Sequence, residues 1–291
     1  MKLGILGTPK SIEVQWIVDQ AVKRGHEPTA ISLYDITLNF KENDIQFFDS
    51  IGPLDRFDVY LFRGITRHLW ESLLLAQWLY ERKKVIVDER LATKRYLPTK
   101  ASTSFNLAKH VLPQPKTVQP FGLNSAKRYL KKIKYPVVLK DAWGRQGRRV
   151  FLAKDYKDAI KYAKQMHESK ISFLIQEYIP VNYDIRVIVV GTQAIGGMKR
   201  TAPKNDFRSN LAVGGSAKPV EISSSLSDIA VKAAKACEIE IAGVDVLQYK
   251  NDFYVLEVNR CPQFRGFQTS TGINVAREIV IYLEDKFERR V

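Results

Sequence analysis

The chain has 291 residues, enough for two or three compact lobes, and its 45% hydrophobic and 26% charged composition is that of a folded protein. Its longest uncharged run, Val187–Met198, contains three glycines and falls well short of the ~18 apolar residues that cross a bilayer. Lys and Arg outnumber Asp and Glu by 46 to 31, and the net +15 favours an anionic partner such as nucleic acid, nucleotide, acidic peptide or lipid headgroup. The two cysteines, Cys237 and Cys261, make no disulfide framework and fit a reducing compartment, so a cytoplasmic location is expected.

Residues 1–90 alternate β-rich and helical runs, which predicts an open, mostly parallel sheet. Lys2–Leu6 reads as a core strand because a secretory apolar region would be longer. Ser11 caps a helix that Gly25 stops, and Pro28–Leu33, Phe57–Phe62 and Val85–Val87 are further strands. A helix between the last two carries Leu69, Trp70, Leu73, Leu74 and Trp78 on one stripe. Gly4-Ile5-Leu6-Gly7 lacks the GxGxxG pattern of a dinucleotide site. Residues 91–175 read as a helical stretch to Gln114, a strand at 116–119, a helix at 124–133, a strand at 136–140 and a helix at 155–167. Residues 176–291 are strand-rich, with strands near 184–190, 193–199, 242–248 and 253–258, a helix at 226–237 and a last helix from about Val275.

Three carboxylate and amide side chains stand out. Glu257 and Asn259 alternate onto one strand face, and a three-residue hairpin loop at Lys250-Asn251-Asp252 places Asp245 opposite Glu257. Two facing carboxylates and an amide oxygen call for a cation, and with only hard oxygens available that cation is magnesium or manganese. Lys140 ends an apolar strand and precedes a loop containing Gly144 and Gly147, a pattern that holds phosphates by charge and backbone N–H groups but lacks the ending of a P-loop. Gln176-Glu177-Tyr178-Ile179 is a strand end able to read an adenine edge, with Asp184 beyond it for a ribose hydroxyl. Arg200 and the basic Lys204–Asn210 segment offer guanidinium forks for an oxyanion or phosphate. The four histidines, His26, His68, His110 and His167, are scattered and pair with no nucleophile.

In this order and spacing the pieces resemble the ATP-grasp superfamily, and most closely its RimK-like branch of glutamate-adding ligases. The matches are Asp206-Phe207-Arg208-Ser209-Asn210, Gly214-Gly215, Gly243-Val244-Asp245, Glu257-Val258-Asn259, Pro262 and Thr271-Gly272-Ile273, within about residues 97 to 285. The first 90 residues match only in their βα pattern. The resemblance implies an α/β fold of the α+β ATP-grasp kind. An N-terminal Rossmann-like βα lobe (1–90) would precede a central lobe (91–175) and a C-terminal lobe with the metal site (176–291), the last two clasping ATP. It also implies that Lys100 and Lys140 grip phosphates, that Glu177 and Tyr178 lie at the adenine and Asp184 at the ribose, and that Arg208, Ser209 and Asn210 approach the reacting phosphate and carboxylate. Asp245, Glu257 and Asn259 would then hold the metals.

There are two departures from the pattern. Thr99 stands where the family often has Asp, and Arg260–Phe267 replaces a small-residue, Ser, Pro, Gly segment. That segment is expected near the acceptor, where Arg260 and Arg265 would face an anionic substrate and Cys261 would be a small packed residue. The expected activity is ATP-dependent coupling of a carboxylate to an amino acid, glutamate by resemblance, through an acyl-phosphate. Arg208 or Arg200 would stabilise the tetrahedral intermediate, and the Gly144–Gly147 and Pro203–Asn210 segments would exclude water. The acceptor would be an acidic protein tail, a carrier protein or a glutamyl-bearing coenzyme, with neither membrane nor nucleic acid required and a homo-oligomer left open. Two rivals are a non-catalytic RNA binder, suggested by Lys127, Arg128, Lys131, Lys132 and Lys134, and a phosphotransferase that stops at a phosphorylated small molecule.

Overall fold

The computed structural model describes residues 1–41, 44–93, 97, 99–144, 147–204, 206–209 and 214–290. The first lobe runs β1 (Lys2–Gly7), α1 (Ile12–Lys23), β2 (Glu27–Ser32), β3 (Thr37–Lys41), β4 (Asp44–Phe48), β5 (Val59–Phe62), α2 (Leu69–Glu81), β6 (Val85–Val87) and α3 (Arg90–Thr93). Four parallel strands form one sheet in the order β2-β1-β5-β6, while β3 and β4 pair as a separate hairpin for which the sequence reading had no element. The apolar runs of β5 and β6 are buried on both faces, as parallel strands between helix layers must be. Leu3, Ile5, Val59, Leu61, Val85 and Val87 face one side, and Leu6, Tyr60, Phe62 and Ile86 the other. Ser11 caps α1 by accepting from Val14 N, and Val14, Ile17 and Ala21 form its buried stripe.

The stripe expected on α2 is rotated. Its buried residues are Ser72, Leu75, Ala76, Trp78 and Leu79, whereas Trp70 and Leu74 are 69% and 52% exposed. The helix is apolar almost all round, so periodicity alone does not fix the face that packs.

The middle lobe follows α4 (Lys100–Lys109) and comprises β7 (Thr117–Val118), α5 (Leu123–Leu130), β8 (Val137–Asp141), β9 (Val150–Ala153), α6 (Tyr156–Glu168) and β10 (Phe173–Glu177). Its strands pair antiparallel in the order β7-β10-β8-β9, under α5 and α6, around a core of its own. The third lobe contains β11 (Tyr183–Val190), β12 (Gln193–Thr201), β13 (Ser216–Val220), α7 (Ser224–Ala236), β14 (Ile241–Tyr249), β15 (Asp252–Asn259), α8 (Arg265–Thr271) and α9 (Val275–Glu288). Its antiparallel sheet has the order β13-β12-β11-β14-β15. Packing shifts the segment boundaries expected at 90 and 175. Leu107 of α4 lies in the third lobe's core and β10 closes the middle sheet, so the middle core takes only residues 117–177.

The first and third lobes share one core, in which β1, β5, β6 and α1 meet Phe264, Phe267, Ile279, Val280 and Leu283. A polar network seals the same junction. Glu240 accepts from Glu89 N at 2.7 Å, from the Tyr282 hydroxyl at 2.6 Å and from Lys286, while its own backbone N donates to Asp88 Oδ1 at 2.6 Å. Arg260 donates to Phe62 O at 2.9 Å and sits 3.7 Å from Asp88 Oδ2 with its side chain 7% exposed. This corrects the expectation that Arg260 faces an anionic acceptor, because its guanidinium is spent inside the junction.

Burial pushes the Asp88 carboxyl up to about 6; Arg260 opposes the shift and Glu240 adds to it. A raised carboxyl pKa means that the folded state binds the proton more tightly than the unfolded chain. Its contribution to stability is therefore full below the ordinary carboxyl range near pH 4 and is lost as pH rises through about 6. Thermal unfolding followed from pH 4 to 7 is expected to show that decline in the wild type and a flatter profile in Asp88→Asn. Identical slopes would remove Asp88 as its source.

Candidate active site

The middle and third lobes face each other across a cleft of about 880 Å³ that reaches the first lobe at Ile12, Ile65 and Leu69. Lys140 enters from β8 with 8% exposure and donates to Gln176 Oε1 at 2.9 Å, and Gln176 in turn donates to Thr117 Oγ1 at 2.7 Å. Burial lowers the Lys140 amine to about 8, with Glu257 opposing and Lys100 reinforcing the shift. Lys100 is the first residue of α4. Thr99 caps that helix by accepting from Ser102 N at 3.0 Å, the service an Asp would give there. The Lys100 amine donates to Gly144 O and lies 3.7 Å from Glu257 Oε1.

Below them, the third sheet holds two ion pairs set by strand register. Arg186 of β11 stands opposite Asp245 of β14, and Asp184 of β11 opposite Arg200 of β12. Arg186 forks onto Asp245, its Nη2 reaching Oδ2 at 2.7 Å. Arg200 forks onto Asp184 at 2.6 and 2.7 Å and also reaches Asp245 Oδ1 at 3.0 Å. Ser209 adds its hydroxyl to Asp184 Oδ2 at 2.6 Å. Burial alone would raise the Asp245 carboxyl, yet Arg186 and Arg200 outweigh it and hold Asp245 ionised below the usual carboxylate range. Gly243 makes room for this arrangement, since a Cβ there would lie 2.8 Å from Pro262 Cβ and 3.1 Å from Arg186 Cδ.

Comparison with known proteins decides the family. A profile of the RimK-like ATP-grasp domain matches residues 99–283, more than half of the chain. A probable alpha-L-glutamate ligase of Methanococcoides burtonii is 31% identical over 290 residues, covering 98% of this chain and 95% of that protein. The chain belongs to the RimK-like ATP-grasp family. It is an ATP-dependent carboxylate–amine ligase. A glutamate–LysW ligase ArgX of Sulfurisphaera tokodaii is 29% identical over 264 residues, covering 88% of this chain and 90% of that one. The fold matches the ATP-grasp ligase PsnB, solved with minimal precursor, Mg and ADP, at a TM-score of 0.74 and 20% identity, covering 99% of this chain and 98% of that one.

Within this ATP-grasp frame, the structure brings Lys100, Lys140, Gly144, Gly147, Gln176, Glu177, Tyr178, Ile179, Asp184, Arg200, Arg208, Ser209, Asp245, Glu257 and Asn259 to one cleft. Asn210, and Arg145 in the glycine loop, lie outside the described residues. Three side chains are used differently from the expectation. Asp184 gives both oxygens to Arg200 and Ser209 and is 4% exposed, which leaves little for a ribose hydroxyl. Gln176 turns its amide to Lys140 and Thr117, so only its backbone remains for an adenine edge. Arg208 is held by Asp206 and donates to Gly147 O at 3.0 Å, joining the two segments expected to cover the site. Arg186 had been overlooked; its signal was the two-residue spacing from Asp184, which places both on one face of β11.

The hard oxygens present fit magnesium. Asn259 donates its amide NH2 to Gly243 O and Asp245 Oδ2, leaving the amide oxygen as a ligand, and no hydrogen bond among the described residues engages the Glu257 carboxylate. Asp245, expected as a full ligand, instead has both oxygens occupied by arginines. No group of three or more His, Cys, Asp or Glu is placed to hold a metal among the described residues. One carboxylate and one amide suffice for magnesium, which commonly completes its shell with phosphate oxygens and water.

Lys140 carries its charge below pH 8 in the free enzyme and loses it above. We expect kcat/KM for ATP to fall as pH rises through about 8. In Lys140→Met that alkaline limb should vanish, with KM for ATP raised roughly tenfold or more, the worth of a hydrogen bond to a charged group. A limb that survives the substitution would belong to another group.

Proposed function

We propose that this ligase activates a carboxylate as an acyl-phosphate at the expense of ATP and couples it to the amine of glutamate, releasing ADP and phosphate. The observation that carries the reading is the convergence of Lys100, Lys140 and Arg208 with the Glu257 and Asn259 oxygens on one cleft. A carboxylate oxygen attacks the γ-phosphorus while the bond to the β-phosphate oxygen breaks and ADP departs. The amine nitrogen then attacks the acyl carbon, phosphate leaves with the bonding pair, and the ammonium proton is released. Neither step needs a nucleophile from the chain, only neutralised charge and alignment. Lys100 and Lys140 hold phosphate oxygens, and Arg208 faces the developing oxyanion. Arg200 is fixed between Asp184 and Asp245, so its field acts from behind Ser209. Magnesium, with manganese as substitute, would lie at Glu257 and Asn259 and supply neutralisation of the transferred phosphoryl charge.

Glutamate as donor is supported by the names of the relatives, which are glutamate ligases, one of them acting on LysW. An anionic acceptor is supported by Arg148 and Arg265, two exposed cations on the cleft wall. Candidate acceptors are an acidic tail, a carrier protein or a glutamyl-bearing coenzyme.

Purified enzyme offered each amino acid with a panel of carboxylates should release ADP and phosphate only when both substrates are present. Glu257→Gln should lower kcat by about 100-fold or more, since a metal contributes several kcal/mol to such a transition state. AMP and pyrophosphate as products would overturn the acyl-phosphate route, and ADP release without an amine would return the phosphotransferase reading.

A further inference from the structure

The net charge is not spread evenly. Residues 117–177, the middle lobe, contain fourteen Lys and Arg against five Asp and Glu, so about a fifth of the chain carries +9 of its +15. Ten of those cations lie in the segments 123–136 and 154–170, which hold only three acids. These segments are α5, α6 and the turns beside them, the layer that covers the outer face of the middle sheet. Lys157, Lys161 and Lys164 recur at helical spacing on α6 and are all exposed; Arg128, Lys131 and Lys132 are exposed on and just after α5. None of the ten is in an ion pair among the described residues. Ten unpaired like charges on one layer repel one another, and a polyanion relieves that repulsion.

We propose that this outer helical layer is a docking surface for an acidic protein segment, the one that carries the acceptor carboxylate. The proposal rests on the ligase reading only for the identity of that segment. Continuity with the cleft supports it. Lys154 at the helical layer and Arg148 at the cleft mouth flank β9, an edge strand of four residues that spans roughly 13 Å. An extended acidic chain following that edge passes from the helices to the reacting phosphate. The layer offers little to nucleobases. Tyr162 is stacked on Phe151 at 4.5 Å and the Tyr135 hydroxyl donates to Leu130 O, so neither ring is available as a platform. The chemistry of the enzyme, moreover, consumes carboxylates.

The test measures fluorescence anisotropy of a labelled glutamate oligomer on the full chain, without ATP or metal, so its outcome is independent of ligase activity. Lys157→Glu, Lys161→Glu and Lys164→Glu together should weaken binding about tenfold or more, while Lys218→Glu, Lys232→Glu and Lys235→Glu on the third lobe should change it less than about twofold. Wild-type affinity should fall steeply between about 50 and 300 mM salt. The Gln versions of the α6 substitutions should give a smaller loss in the same direction, and melting curves separate either effect from misfolding. Equal losses in the two lobes, or no binding, would overturn the proposal. So would an RNA oligomer of the same length that binds more tightly at equal salt and displaces the glutamate oligomer. ADP release with small carboxylates should be unaffected by the α6 substitutions.

Discussion

A carboxylate 5% exposed in the middle of a five-stranded sheet is the constraint around which the active half of this molecule is arranged. Bare, Asp245 would cost several kcal/mol, and it persists because Arg186 and Arg200 reach it from the neighbouring strands. Both arginine pairings run directly across the strand ladder, so sliding either strand by one residue would bury four charges without partners. The ion pairs thereby specify the register that the apolar residues of β11 and β14 would tolerate less uniquely. Register in turn sets Glu257 beside Asp245, Asn259 against Gly243, and Ser209 over Asp184.

The hairpin that carries Glu257 shows how much of this was legible. Counting back from a three-residue loop put Asp245 opposite Glu257, and the two residues do pair. The route differs, because the turn holds only Lys250 and Asn251, with Tyr249 opposite Asp252, and the missing residue is restored by a bulge at Leu256. A bulge has no signature in an alternating apolar run. The main strands and helices were readable where alternation or capping was strong, as at Ser11 and in β10 to β12. The β3–β4 hairpin, β9 and β13 were not, because short edge strands bury too little to impose a pattern. Arg186 was readable from its spacing to Asp184, but attention to the loop arginines hid it.

Charge proved harder to place than pattern. Arg260 and Arg265 lie five residues apart and both follow the Glu257–Asn259 strand, yet one is sealed between lobes against Asp88 and Phe62 while the other is exposed. Sequence gives the sign of a side chain but not its depth. Depth here is decided by the shared core of the first and third lobes, which draws Phe264 and Phe267 inward and carries Arg260 with them. The middle lobe has a separate core and no such obligation, and there the cations remain on the surface.

The contacts of Lys100 with Gly144 O and of Arg208 with Gly147 O carry a thermodynamic consequence. Each tethers the glycine loop by protons that an arriving nucleotide also requires, and a proton shared with a carbonyl is not fully available to a phosphate. Loop release and nucleotide capture are therefore linked equilibria: whatever free energy holds the loop is subtracted from the observed affinity for ATP. By the same linkage, a substitution that loosens the loop without touching the nucleotide would tighten nucleotide binding, and one that clamps it would weaken binding by an equal factor.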